Sequence, residues 1–103
     1  MASQNLPLNY TSLDLEIEVI KRFRALAPFL PLQCRVWREL NGRDTILYLD
    51  WADCPQELGM NEQEWQEIAL LLAYSCDYLG LANSLVFRNG EQIVGWMSLE
   101  EIA

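Results

Sequence analysis

The chain has 103 residues, of which 51% are apolar and 21% charged, the balance of one globular domain with a modest core rather than of a disordered segment. Its net charge of −8 argues against binding to phosphate backbones. The absence of histidine removes imidazole general bases, Ser-His and Cys-His pairs and nearly all zinc sites.

Residues 1–11 are expected to form an extension ahead of a single domain over 12–103. The opening Met-Ala-Ser-Gln-Asn has no basic stretch followed by an apolar block, so a cytoplasmic location is expected and the sequon at Asn9 should stay unmodified. Over the next stretch two periods compete. Leu13, Leu15, Ile17 and Val19 alternate with acids as a strand would, but the alternation fails beyond residue 19. Leu13, Ile17, Ile20 and Ala27 then share one helical stripe, with Val19, Phe23, Leu26 and Leu30 beside it. Ser12 can cap the first turn, Lys21, Arg22 and Arg24 suit the negative end of the helix dipole, and Pro28 forbids continuation. A helix over about 13–27 is predicted.

Residues 32–40 alternate, and Asn41-Gly42 has the pair of residues that best tolerates positive φ in a two-residue hairpin turn. With those two at the centre of the loop, Val36 opposes Leu47 and Cys34 opposes Leu49 on a core face. Trp37 opposes Ile46 and Arg35 opposes Tyr48 on the other. Asn61 followed by Glu64 makes a capping box that opens a second helix, running to Leu79 and ending at Gly80. Its core stripe is Trp65, Ile68, Ala69, Leu72, Cys76 and Leu79. Leu70, Leu71, Tyr74 and Tyr78 fall on the opposite or flanking side, which turns apolar halfway along. A second hairpin about Asn89-Gly90 would pair Arg88 with Glu91, Phe87 with Gln92, Val86 with Ile93 and Leu85 with Val94. Ser98-Leu99-Glu100-Glu101 then starts a short helical turn. The expected fold is α+β, helix-hairpin-helix-hairpin, with an antiparallel sheet packed against two helices and a C-terminal helical turn.

Charge is unevenly shared: residues 1–48 hold five acids and six bases, whereas residues 49–103 hold ten acids and one base, Arg88. That acidic half keeps the protein soluble or docks a basic partner. Three cysteines, Cys34, Cys54 and Cys76, are too far apart for a Cys-x-x-Cys motif and odd in number, so no disulfide framework is expected. Cys34 and Cys76 read as buried hydrophobes and Cys54 as exposed among acids. No phosphate-binding or dinucleotide glycine pattern is present. Asp50, Asp53 and Glu57 are the carboxylates close enough in sequence to gather round a divalent cation, but without the spacing of a calcium loop. Neither a metal nor another cofactor is expected.

The order helix, hairpin, long helix, hairpin and helical tail looks like the arrangement of bacterial type III secretion chaperones and related small acidic proteins. That resemblance spans residues 12–101, is carried by element order and charge rather than by a motif, and implies a chaperone or adaptor role. The expected function is thus a non-enzymatic adaptor or assembly chaperone, contacting a protein through Arg35, Trp37, Ile46 and Tyr48 on the sheet or Leu70, Leu71, Tyr74 and Tyr78 on the second helix. Its partner would be a protein with a basic or apolar segment, or a second copy of the chain, and neither nucleic acid nor membrane. The alternatives are a small carboxylate-based metal-dependent enzyme and a regulatory module that senses a ligand between helix and sheet.

Overall fold

The computed structural model describes residues 12–54 and 62–101. The expected extension over 1–11, the cap at Asn61 and the carboxylate of Glu57 lie outside the described residues. Helix α1 (Ser12–Leu26) leads to strands β1 (Arg35–Asn41) and β2 (Asp44–Asp50), helix α2 (Glu62–Leu79), strands β3 (Ser84–Asn89) and β4 (Gln92–Ser98), and a 3₁₀ turn (Leu99–Glu101). The class is α+β: two helices and one four-stranded mixed sheet in the order β1-β2-β3-β4.

Two expectations about the sheet need correction. It is not wholly antiparallel, because β2 and β3 pair in parallel at its centre, Leu47 opposite Leu85 and Leu49 opposite Phe87. The cause is α2, which carries the chain back along the sheet before β3 begins, so the two strands it joins run the same way. The strand registers also differ from those read off the Asn-Gly dipeptides. In each turn it is glycine that takes the first central position, Gly42 at φ 66° and Gly90 at φ 68°, and the asparagine before it is the last paired residue. Asn41 therefore faces Asp44, Val36 faces Leu49 and Trp37 faces Tyr48. That slip of two residues keeps every side chain on its expected face. The second slip does not, because the register shifts again between Phe87 and Arg88. Arg88 opposes Ile93 rather than Glu91, Phe87 opposes Gly95, Val86 opposes Trp96 and Leu85 opposes Met97. Val94 is the extra residue, and Trp96 reaches a face that simple alternation would not give it.

Both helices pack on one side of the sheet. Leu47, Leu49, Leu85 and Phe87 from the strands meet Phe23 of α1, Ala27 just after it, and Leu72, Ala73 and Cys76 of α2 in a single core. The buried stripe of α1 is narrower than expected. Val19, Ile20, Phe23 and Ala27 reach the core, while Leu13 and Ile17 are exposed. The first half of α1 stands off the β1 edge, leaving a groove of about 540 Å³ between Leu13, Ile17 and Ile20 on one side and Val36 and Arg38 on the other. Glycine ends α2 as the sequence suggests. Gly80 takes φ 65°, its N–H donates to the Asp77 carbonyl at 3.0 Å, and the Leu81 N–H donates to the Cys76 carbonyl at 3.1 Å, so two carbonyls of the last turn are satisfied.

Arg38 ties three elements together. Its guanidinium donates from Nη1 to the Leu81 carbonyl at 2.7 Å, and from Nε and Nη2 to the two carboxylate oxygens of Glu16 on α1. The Arg38 guanidinium holds the Glu16 carboxyl below its ordinary pKa, and Glu16 in turn raises that of Arg38. The pair is part-buried and bidentate, the geometry in which an ion pair contributes beyond the small worth of an exposed one. Arg38→Met is expected to cost about 1–2 kcal/mol, read as a lower urea midpoint at unchanged slope. A change below a few tenths of a kcal/mol would mean that α1 is held by apolar packing alone.

Candidate functional site

The face of the sheet away from the helices is covered by neither of them, and the strand registers arrange it in rows. One row runs across all four strands: Trp37 on β1, Tyr48 on β2, Val86 on β3 and Trp96 on β4. At the usual strand spacing it spans about 14 Å. The next row is Arg35, Asp50, Arg88 and Ile93, and on the other side lie Glu39, Ile46, Ser84 and Ser98. Aromatic rings thus lie between a charged row and a mostly polar one.

Local interactions make this cluster rigid. Trp37 and Tyr48 stack with centroids 5.1 Å apart and planes within 8°. The Arg35 guanidinium lies 5.9 Å from the Trp37 centroid, and that of Arg88 lies 5.7 Å from Trp37 and 5.9 Å from Tyr48. Both cations sit at cation–π range of electron-rich rings. The Trp37 indole N–H donates to Glu39 Oε2 at 2.8 Å, and Arg88 Nε donates to the Gly90 carbonyl at 2.8 Å, which fixes each side chain's direction. Trp96, at the other end of the row, is 66% exposed.

Asp50 anchors the charged row from below the surface. It is 1% exposed and accepts three hydrogen bonds: from the Ala52 N–H at 2.9 Å and the Gly90 N–H at 3.0 Å on Oδ1, and from Arg35 Nη2 at 2.6 Å on Oδ2. The backbone donors of Ala52 and Gly90, with Arg35, hold its carboxyl down to about 2. One carboxylate therefore secures the β2 end, the β3–β4 turn and the direction of Arg35. With both oxygens facing donors, Asp50 has the surroundings of a structural anion rather than of a metal ligand. Asp53 is exposed, and among the described residues no three Cys, Asp or Glu side chains come together as a metal site.

The three cysteines are free, and all are buried, so the expectation that Cys54 is exposed is corrected. Its loop folds inward and puts the thiol in the same core as Cys34. Burial pushes the Cys34 thiol up to about 12 and that of Cys76 up to about 11, and raises that of Cys54. None of the three is a thiolate near neutral pH.

Of the residues picked out from the sequence, Arg35, Trp37, Ile46 and Tyr48 all stand on the helix-free face, with Arg35, Trp37 and Tyr48 in one cluster and Ile46 one row away. Leu70, Leu71, Tyr74 and Tyr78 are exposed on α2 and belong to the other layer, so the two sets form separate surfaces. Val86, Arg88 and Trp96 were missed. The alternation Leu85-Val86-Phe87-Arg88 is the signal that could have placed the first two; the extra residue at Val94 hides the third.

Comparison with protein-family models, with curated proteins and with solved structures finds no match to this chain. The likeness to secretion chaperones accordingly rests on element order and charge alone. Among the described residues, no helix is long and apolar enough to cross a membrane.

Proposed function

We propose that the chain is a non-enzymatic protein-binding module, an adaptor or assembly chaperone, which grips its partner with the helix-free face of the sheet. The row Trp37, Tyr48, Val86 and Trp96, covered by neither helix, with Val86 buried, Trp37 and Tyr48 half-buried and Trp96 exposed, and braced by two guanidiniums, is the observation that carries this reading. Rigid tryptophan, tyrosine and arginine lose little conformational entropy on contact and dominate the energetics of protein interfaces. A face four strands wide and about 23 Å long offers roughly 400 Å², about half of what a standard stable interface buries on each side. Such an area suits a reversible partner, or one whose contact continues past the β4 edge, where Ile93 and Val94 are exposed.

The rival reading, a metal-dependent enzyme built on Asp50, Asp53 and Glu57, has little in its favour, because Asp50 is committed to three donors. The test is a pair of substitutions on the aromatic row. Trp37→Ala combined with Trp96→Ala is expected to weaken capture of the native partner by at least about a hundredfold, the loss of two hot-spot side chains, while the far-ultraviolet circular dichroism is kept. Undiminished capture by the folded double variant would move the contact elsewhere.

A further inference from the structure

On the opposite side of the sheet the helix layer is incomplete. The helices cover the strands through Phe23 on α1 and Leu72, Ala73 and Cys76 on α2, and beyond α2, toward the β4 edge, the layer opens into a groove of about 590 Å³. Trp65 and Ala69 of α2 form one wall, Phe87, Gly95 and Met97 the floor, and Trp51 one end. Trp51 and Trp65 meet edge to face, centroids 4.8 Å apart at 86°, so that end of the wall is stiff. Gly95 is what keeps the floor low: a Cβ there would meet only Phe87 Cδ2, at 3.8 Å, so there is room that the sequence leaves empty.

Shape and charge together select an occupant. A helix about 10 Å across, embedded to half its section, fills 590 Å³ over about 15 Å, or nearly three turns. An added strand fits less well, because the extra residue at Val94 interrupts the ladder on the β4 edge. Helix α2 carries Glu62, Glu64, Glu67 and Asp77 and no basic residue, and Glu62 lines the groove. Arg88, which also borders it, is turned over the rings of Trp37 and Tyr48 on the other face. A second copy offering its own α2 would add four more acids to these four, so self-association through this surface is opposed by charge. We propose that the groove between α2 and β4 docks an amphipathic α-helix of a partner protein, its apolar stripe against Trp65, Gly95 and Met97 and its lysines or arginines toward Glu62, the α2 carboxylate that lines the groove. At 100° per residue Leu70 and Tyr74 follow Gln66 round α2, which extends the apolar wall from the groove onto the exposed half of the helix. The groove and the aromatic row meet at the β4 edge, where Trp96 lines both, while Trp37 and Tyr48 stay on the reverse of the sheet.

The test uses the full chain and two labelled synthetic peptides, one an amphipathic helix of leucine and lysine, the other with glutamate in place of every lysine. Fluorescence anisotropy should show saturable binding of the lysine peptide, at least about tenfold tighter than that of the glutamate peptide. Gly95→Leu fills the groove from its floor at a position without positive φ, and should weaken the lysine peptide at least about tenfold. Leu13→Ala, exposed on α1 and away from the groove, should leave it unchanged. If Gly95→Leu fails to fold, Val94→Lys at the exposed rim reads the same contact by charge repulsion. Equal binding of both peptides, undiminished binding by the folded groove variant, or no binding of the lysine peptide would overturn the proposal.

Discussion

Asp50→Ala is expected to lower the free energy of unfolding by about 3 kcal/mol. The carboxylate is 1% exposed, and its removal strips acceptors from two backbone N–H groups as well as from Arg35. Most of the loss belongs to those N–H groups, because the Arg35 side chain is 63% exposed and returns to water at little cost. The same carboxylate gives the protein a defined acid sensitivity. Its pKa is lowered from 3.8 to about 2 in the folded chain, first by the Ala52 N–H and then by that of Gly90. The associated stability, on the order of 2 kcal/mol, is present above pH 4 and is lost as pH falls through 4 toward 2. In urea titrations the gap between the wild type and Asp50→Ala should therefore narrow from about 3 kcal/mol at pH 6 to about 1 kcal/mol near pH 2. A gap that stays constant with pH would show that Asp50 is protonated as easily folded as unfolded.

Phe23→Ala should cost about 4 kcal/mol, a large part of the stability of a domain this size. The ring is wholly buried and is the largest side chain that α1 sends into the core, where its companions are the small Ala27 and the half-buried Val19 and Ile20. Since the first half of α1 stands off the sheet, little else can compensate. Hydrogen exchange should show protection falling first in α1 and the β1 edge beside it. A loss below about 1 kcal/mol, with α1 amides still protected, would mean that the helix is held chiefly by the Arg38–Glu16 pair.

The α+β class was legible because each helix carries its own punctuation, Pro28 after the first and Gly80 after the second, and because short apolar runs flank each Asn-Gly dipeptide. Alternation also separated Arg35, Trp37, Ile46 and Tyr48 from the core without knowledge of the register, since a slip of two residues leaves faces unchanged. Three things could not be read locally. Whether glycine or asparagine leads a primed turn depends on a choice of one residue, and here glycine leads in both. The parallel junction of β2 with β3 is fixed by the path of α2 rather than by either strand. Trp96 joins the aromatic row only because Val94 is an extra residue in β4, a feature of pairing geometry. Arg38 and Asp50 were hidden for a related reason: their partners, Glu16, Leu81 and Gly90, lie between 22 and 43 residues away in the chain.

Site-specific photo-crosslinking tests the central claim most directly. A benzophenone amino acid placed at Ile46, on the helix-free face, and separately at Arg22, exposed on α1, would be irradiated in cells that produce the protein natively. The expected result is a discrete protein adduct from position 46 that is absent from position 22 and disappears when Trp37 and Trp96 are changed to alanine. Adducts of equal yield at both positions, or none at position 46 while the chain is folded, would contradict the assignment of the aromatic row as the partner-binding surface.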